Sequence, residues 1–147
     1  MYRLTIILLL SVPPLAFGRT LTEADLSGVW VDAWQRFADQ IDPPDRLPVR
    51  NVLVIDADLS ITLTRQFDSG SRQVLVARED DVAFLDDLLI AEFSHEDVRF
   101  KLVVSGWSIS DESLLFGHLY LYDQEGLFNG IPVGFEPSDD AEDPVRG

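Results

Sequence analysis

The sequence lacks cysteine altogether and contains only one methionine, two histidines and one lysine, Lys101. Without cysteine the chain has no disulfide, no thiolate metal site and no cysteine nucleophile. Basic residues are scarce: 11 Lys and Arg stand against 26 Asp and Glu, giving a net charge of −15 at pH 7. No basic stripe is present to neutralise a nucleic-acid backbone, so we expect no nucleic-acid partner. A basic protein or a cationic ligand would instead be attracted.

Residues 1–18 have the organisation of a cleaved export signal. Arg3 gives a basic start, Leu4–Val12 is almost wholly apolar, and Ala16 and Gly18 are small residues placed for a cleavage site. A membrane helix needs about 20 apolar residues, and this run is too short. We therefore predict a signal peptide at 1–18, a mature chain beginning at Arg19, no membrane span, and a periplasmic or secreted location.

Removal of 18 of the 147 residues leaves 129, with ten basic residues against 26 acidic ones and a net charge of about −16. This length suits a single domain with a hydrophobic core. The last residues, 137–147, are acidic and nearly free of large apolar side chains, as is typical of a disordered tail. We expect one domain over residues 19–136.

Short segments of alternating apolar and polar residues, separated by clusters of turn residues, follow one another along the chain. They lie at 51–56, 60–67, 72–79, 88–94, 98–109, 113–122 and 127–135. Such repetition is typical of all-β proteins. We predict an antiparallel up-and-down meander that closes into a small barrel.

The stretch from Thr22 to Gln40 is compatible with either helix or strand. Leu26 and Trp30 fall at helical spacing with later apolar residues, whereas Gly28 and its flanking valines favour a strand. We interpret this stretch as a helical turn through Leu26, a strand from Gly28, and one short helix near residues 33–40.

The last third of the chain predicts a register. A two-residue turn at Asp111-Glu112 would pair Trp107 with Phe116 and Ser105 with His118. A four-residue turn over 123–126 would then place Asn129 beside Tyr120. One face of the resulting three strands is aliphatic and carries Leu102, Val104, Leu119 and Leu121. The opposite face, which we call the aromatic face, carries Lys101, Trp107, Phe116, His118, Tyr120 and Tyr122.

The aliphatic set belongs in a core, because burying each such side chain contributes about 1.5–3 kcal/mol. Aromatic side chains with polar tips can lie on either side of a sheet. The aromatic face is therefore either an outer surface suited to a protein partner or the wall of a cavity suited to a small ligand. We favour the outer surface.

Gly28, Val29 and Trp30 stand near the expected mature start, just ahead of the meander. This arrangement resembles the calycin superfamily of lipocalins, fatty-acid-binding proteins and avidins, over roughly residues 25–136. The resemblance implies a lipocalin-like barrel in which Gly28 allows a tight entry into the first strand and Trp30 packs across the closed end. It also implies a carrier of a small apolar ligand. The chain departs from lipocalins in having no disulfide and no basic residue on the predicted last strand to stack on the tryptophan.

Arg65 alternates with Ile61, Leu63 and Phe67 and is expected on the same side of its strand. An inward arginine can bind a carboxylate bidentately inside a barrel, as in proteins resembling fatty-acid carriers. An arginine near a strand end more often reaches water or a nearby aspartate. The sequence leaves both interpretations open.

Two kinds of chemistry have weak support. Ser105 and His118 face each other in the predicted register and could form a nucleophile–base pair, but no strained nucleophile turn accompanies them. The acidic groups 79–81 and 86–87 lack the alternating oxygen ligands of a calcium loop, and the two histidines lack a zinc-ligand spacing. We expect no enzyme, no metal and no cofactor.

The favoured hypothesis is an exported, non-enzymatic β-barrel that binds a protein partner through the aromatic face. The partner is expected to be basic, which fits an inhibitor- or immunity-like role. The alternative is a calycin-type carrier of a small apolar ligand, with the aromatic face or Arg65 inside the cavity. A hydrolase using His118 is the least favoured.

Overall fold

The computed structural model describes residues 19–33 and 50–139, and strands make up most of these ranges. Within them, a single four-residue helix and a 3₁₀ turn (Glu79–Asp81) accompany the strands. In chain order the elements are β1 (Arg19–Thr20), α1 (Glu23–Leu26), β2 (Gly28–Asp32), β3 (Arg50–Ile55), β4 (Ile61–Gln66), β5 (Arg72–Ala77), β6 (Val82–Leu85), β7 (Leu88–His95), β8 (Val98–Ile109), β9 (Glu112–Asp123) and β10 (Gly126–Pro137).

The strands form one antiparallel sheet in the order β5-β4-β3-β2-β10-β9-β8-β7-β6, with β1 added to β8. Neighbours in the sheet are neighbours in sequence, except where β10 returns to pair with β2 and where β1 pairs with β8. The sheet curls until residues of β5 come within 8 Å of β7, measured between Cα atoms. The predicted antiparallel meander, closing into a nearly complete barrel, is therefore confirmed.

The first described elements agree with the predicted helical turn through Leu26 and strand from Gly28. α1 ends at Leu26 and β2 begins at Gly28, whose φ of +141° is open to glycine but rarely adopted by other residues. Trp30 is 2% exposed, and its Nε1 donates a hydrogen bond to the Leu26 carbonyl at 2.8 Å. Residues 34–40 of the helix expected near 33–40 lie outside the described residues, as do residues 140–147 of the expected tail and all of residues 1–18.

The register between β8 and β9 differs from the prediction by two residues. Trp107 lies opposite Leu114, and Ser105 lies opposite Phe116. The turn residues are Ser110 and Asp111, whose φ angles of 50° and 67° are those that a tight two-residue hairpin turn requires. Because side chains alternate with a period of two, this shift leaves every residue on its predicted face.

The pairing of β10 with β9 contradicts the predicted position of Asn129. A bulge between Leu127 and Asn129 inserts one extra residue, so that Gly130, not Asn129, lies opposite Tyr120. A one-residue shift exchanges the two faces of a strand. Ile131 and Val133 consequently turn towards the core instead of joining the aromatic face.

The interior of the barrel is mainly aliphatic, and it includes the aliphatic residues that the pattern predicts. Leu102, Val104 and Leu119 are each at most 1% exposed, and Leu121 packs partly buried against them. The largest fully buried side chains come from both halves of the sheet: Phe93, Phe135, Leu26, Leu53, Ile55, Ile61, Leu63, Leu75, Leu89, Leu102, Leu115 and Leu119.

Asp25 is expected to stabilise the fold in a pH-dependent way. Its carboxylate accepts hydrogen bonds from Arg19 Nη1 at 2.9 Å and from the amide and hydroxyl of Thr22 at 2.8 Å each. These bonds, that from Arg19 foremost, hold the pKa of Asp25 well below its usual range. A carboxyl whose pKa is lower in the folded chain stabilises it above the unfolded pKa of about 4, and this contribution is lost as the pH falls further.

Asp25→Asn should therefore lower the melting temperature at pH 7, and its difference from the unsubstituted chain should shrink as the pH falls below about 4. Calorimetry of both chains across this range measures the effect. Glu23→Gln, which removes a charge from the same helical turn outside this cluster, is the control. An effect of Asp25→Asn that does not depend on pH would show that the carboxylate charge is irrelevant.

Gly117 allows two backbones to come unusually close. A Cβ added there would overlap the carbonyl group of Val103 on the neighbouring strand. Because backbone atoms cannot swing aside, Gly117→Ala is expected to lower the free energy of unfolding by about 2–4 kcal/mol. Gly130→Ala is the matched control: its Cβ would lie 3.2 Å from the movable Tyr120 ring, and we expect less than half the loss. Denaturant titration measures the free energy of unfolding of the two variants. Equal losses of stability would contradict the role given to the close backbone contact at Gly117.

Candidate functional site

The structure places all six residues of the aromatic face on the outside of the barrel, because they alternate with the buried aliphatic residues of β8 and β9. Trp107 is 41% exposed and His118 is exposed, while the other four are half-buried. Trp107 and Lys101 are six residues apart on β8, or about 20 Å along the strand. The face is thus a long stripe whose two ends have different surroundings.

The middle of the stripe covers the last strand. Gly130 lies opposite Tyr120 and Gly134 lies opposite Phe116. A Cβ added at either glycine would lie 3.2 Å from the ring opposite it, so each ring rests over glycine backbone. His118 stacks on Tyr120 with ring centroids 5.7 Å apart. Part of the aromatic character is therefore structural, since rings that lean across glycines shield an otherwise bare strand.

Trp107 lies near the C-terminal end of β8 and has a different environment. It lies opposite Leu114 on one side and Thr20 of β1 on the other. Its indole Nε1 donates only a long hydrogen bond, of 3.4 Å, to Ser105 Oγ. The ring covers no glycine of β10 and keeps two-fifths of its surface in contact with solvent.

Two further exposed apolar side chains lie on the same face of the sheet as Trp107, on the next two strands. Leu88 is opposite Ser105, diagonal to Trp107, and Leu85 is opposite Leu88 on β6. They are 38% and 59% exposed. We call Leu85, Leu88 and Trp107 the apolar patch.

Sequence reasoning missed the β6 side of this patch because it did not predict β6. The available signal was Asp86-Asp87, a two-residue polar break between the apolar runs of residues 82–85 and 88–91. Such a break is typical of a tight hairpin, and Asp86 has the positive φ, 57°, that such a turn needs.

Acidic residues occupy the two turns next to the apolar patch. Asp86 and Asp87 form the turn between its two leucines, and Asp111 lies at the tip of the hairpin that carries Trp107. The Arg19 guanidinium on neighbouring β1 is already paired with Asp25 at 2.9 Å. The patch thus combines apolar contact area with a negative rim.

The other end of the stripe, near the N-terminal end of β8, is polar. Lys101 Nζ lies 3.3 Å from Glu92 Oε1, and the Arg99 guanidinium lies 5.8 Å from the centre of the Tyr122 ring. These residues line a groove of about 400 Å³ beside the open edge of the barrel, together with Val76, Asp81, Phe93, Ser94 and Phe100. Lys101 and Tyr122 therefore belong to this groove and not to the surroundings of Trp107.

The predicted Ser105–His118 pair does not form. Because the hairpin turn starts one residue earlier than predicted, Ser105 lies opposite Phe116 and not opposite His118. The Ser105 hydroxyl accepts a hydrogen bond from the Trp107 indole. His118 lies opposite Val103 and makes no hydrogen bond to a hydroxyl or carboxylate within the described ranges. Among these residues the geometry gives His118 no partner for nucleophilic catalysis.

Arg65 points into the barrel, which is one of the two interpretations that the sequence left open. It lies between Asn51 and Gln73 in the interior row and is 5% exposed. Its Nη1 donates to Gln73 Oε1 at 2.9 Å, and its guanidinium lies 5.4 Å from the Phe67 ring centre and 5.7 Å from that of Phe100. Burial lowers the pKa of Arg65.

Comparison with protein-family models, with curated proteins and with solved structures finds no match to this chain. The resemblance to calycins through Gly28 and Trp30 accordingly stays a prediction. No helix within residues 19–33 and 50–139 is long and apolar enough to cross a membrane. The same ranges contain no group of three or more His, Asp or Glu side chains arranged to hold a metal ion.

The exposure of Trp107 is testable by fluorescence. In a Trp34→Phe background the chain keeps Trp30, which is buried, and Trp107, which is exposed. Adding Trp107→Phe should shift the remaining emission to shorter wavelength and reduce quenching by acrylamide, because only the buried indole is left. If emission and quenching stay as they were, Trp107 is covered in solution.

Proposed function

We propose that this protein is an exported, non-enzymatic binding protein that binds a basic protein partner through the apolar patch and the adjoining aromatic face. The observation that carries the proposal is the exposure of Trp107, Leu88 and Leu85 on the same outer face of three neighbouring strands. Tryptophan is among the residues that contribute most to binding when an interface buries it.

The charges support the chemistry of the partner. A negative rim around an apolar centre attracts a positively charged surface and increases the rate of encounter, while the centre supplies the affinity. The whole chain, at −15, adds a long-range field of the same sign. An inhibitor or an immunity protein against a basic target fits this description.

The interior supports a protein partner over a ligand carried at the barrel centre. Leu53, Leu63 and Leu75 fill one half of the barrel, and Leu102 and Leu119 fill the other, each at most 1% exposed. A calycin-type carrier needs a cavity of about 300 Å³ or more for its ligand, so these side chains would have to give way. This carrier is the second candidate, and a hydrolase the third.

The proposal predicts that the apolar patch determines partner binding. We would immobilise the chain of residues 19–147, expose it to cell-envelope extract and quantify the retained proteins. The double variant Trp107→Ala, Leu88→Ser should lose the specifically retained partner and bind the purified partner at least about tenfold more weakly. Raising the salt concentration should slow association, because the rim charges are screened.

Val74→Ser is the matched control, because Val74 is a similarly exposed apolar residue (46%) on β5, away from the patch. Circular dichroism should show that all variants keep their strands. Undiminished binding by the double variant would refute the surface, and a specific partner with an acidic binding face would refute the role given to charge.

A further inference from the structure

Asparagine occurs twice in the sequence, at Asn51 and Asn129, and the two side chains lie in opposite environments. Asn51 is 8% exposed, its Nδ2 donates a hydrogen bond to Asp32 Oδ2 at 3.0 Å, and the branched Val52 follows it. Asn129 is exposed, and Gly130 follows it. Asparagine is one of the chemically labile residues, and of the two it is Asn129 that is open to reaction with its own backbone.

The Gly130 amide nitrogen lies close to the carbonyl carbon of the Asn129 side chain. It donates a hydrogen bond to Asn129 Oδ1 at 2.9 Å. A C=O bond is about 1.2 Å long, so Asn129 Cγ lies no more than about 4 Å from this nitrogen. Because residue 130 is a glycine, no Cβ crowds the approach. Two groups held at such a separation react far more readily than groups that must first find each other.

The two residues lie at the β-bulge of β10. The pairing with β9 shifts between Leu127 and Asn129, and regular pairing resumes with Gly130 opposite Tyr120. A bulge leaves one residue unpaired and disrupts the ladder of backbone hydrogen bonds around it. The backbone therefore has more freedom to rotate here than in the middle of a regular strand, and closing the nitrogen onto the side-chain carbon requires such a rotation.

We propose that Asn129 is a site of spontaneous deamidation in the folded chain. The Gly130 nitrogen attacks Asn129 Cγ, and a cyclic imide forms as the bond between Cγ and Nδ2 breaks. The nitrogen gives up its proton to solvent, and Nδ2 takes up a proton and leaves as ammonia. One water molecule then opens the ring at either of its two carbonyl carbons, which gives aspartate or isoaspartate. The reaction consumes only water, and nothing is oxidised or reduced.

Both products change the bulge, and isoaspartate changes it more. Each adds a negative charge, but isoaspartate also adds one carbon atom to the backbone. The bulge already holds the extra residue that brings Phe135 into the core. A further backbone atom would disturb the pairing that follows it, from Gly130 onward, and with it the closure of β10 on β2. Deamidation should thus weaken the barrel as the protein ages, whatever the apolar patch binds.

The first test compares the chain of residues 19–147, folded or unfolded in guanidinium chloride, during incubation in mildly alkaline buffer. Anion exchange separates the more acidic product, and peptide mass spectrometry locates the change. If only transiently unfolded molecules reacted, folding would slow the reaction by about a thousandfold or more. We expect the folded chain to convert at Asn129 within about tenfold of the unfolded rate, because the reacting groups are already close. A larger slowing overturns the proposal.

Asn51 in the same folded sample is an internal control and should stay intact while Asn129 converts. Asn129→Gln is the matched variant, because it keeps an exposed amide but places the amide carbon one bond farther from the Gly130 nitrogen. It should remain a single species under the same conditions. Equal conversion at Asn51 and Asn129, or an equally acidic product from Asn129→Gln, would show that the local geometry does not direct the reaction.

The second test separates the added charge from the added backbone atom. Freshly prepared Asn129→Asp carries the charge on an unchanged backbone and should melt close to the unsubstituted chain. The isoaspartate fraction of the aged chain, identified by enzymatic methylation, should melt at a temperature roughly 3 °C or more lower. An isoaspartate fraction that melts with the fresh chain would refute the effect on barrel closure.

Discussion

The bulge between Leu127 and Asn129 determines how the barrel closes. Before the bulge, β10 keeps the register that its turn with β9 sets. After the bulge, every side chain of β10 lies on the face opposite to the one that this register would give it. The change brings Phe135 into the core and leaves Gly130 and Gly134 under the rings of β9. It also gives β10 the orientation in which its last residues pair with β2. The buried core, the covered last strand and the closure of the sheet all depend on this one additional residue.

Much of the architecture was predictable, because the alternation of side chains is a strong signal that does not require a correct register. The pairing of β8 with β9 was shifted by two residues, yet Leu102 and Trp107 were still assigned to opposite faces. The bulge could not be predicted, since Phe128 and Asn129 look like any other alternating pair in the sequence. The short strand β6 was missed because four residues after an acidic run carry too weak a pattern.

In the candidate sites, too, some features were predictable from alternation and others depend on strand pairing. Alternation predicted which residues share a face with Trp107 and with Arg65; the outer position of Trp107 was favoured, and the direction of Arg65 was left open. The leucines that extend the patch, and the lack of an anion beside Arg65 among the described residues, depend on which strands become neighbours. Both features are locally unfavourable, one because apolar area is left in water and the other because charge is removed from water. A chain without disulfides has a limited margin of stability for two such features, and the densely packed aliphatic interior is what supplies that margin.

The pairing of β10 with β2 has a consequence for how the chain folds. Asp32 and Phe135 are partners in the sheet although they lie near opposite ends of the sequence, and Thr20 likewise pairs with Trp107 far downstream. Contacts between such distant residues form slowly, because a long loop must be closed before any of them stabilises the chain. β2 can pair with β3 early, but it gains its second partner only when β10 has been synthesised, and β1 has no partner until β8 has been. The hairpins of β2–β5 can therefore form early, whereas closure of the barrel is a late step that joins the two ends of the sequence.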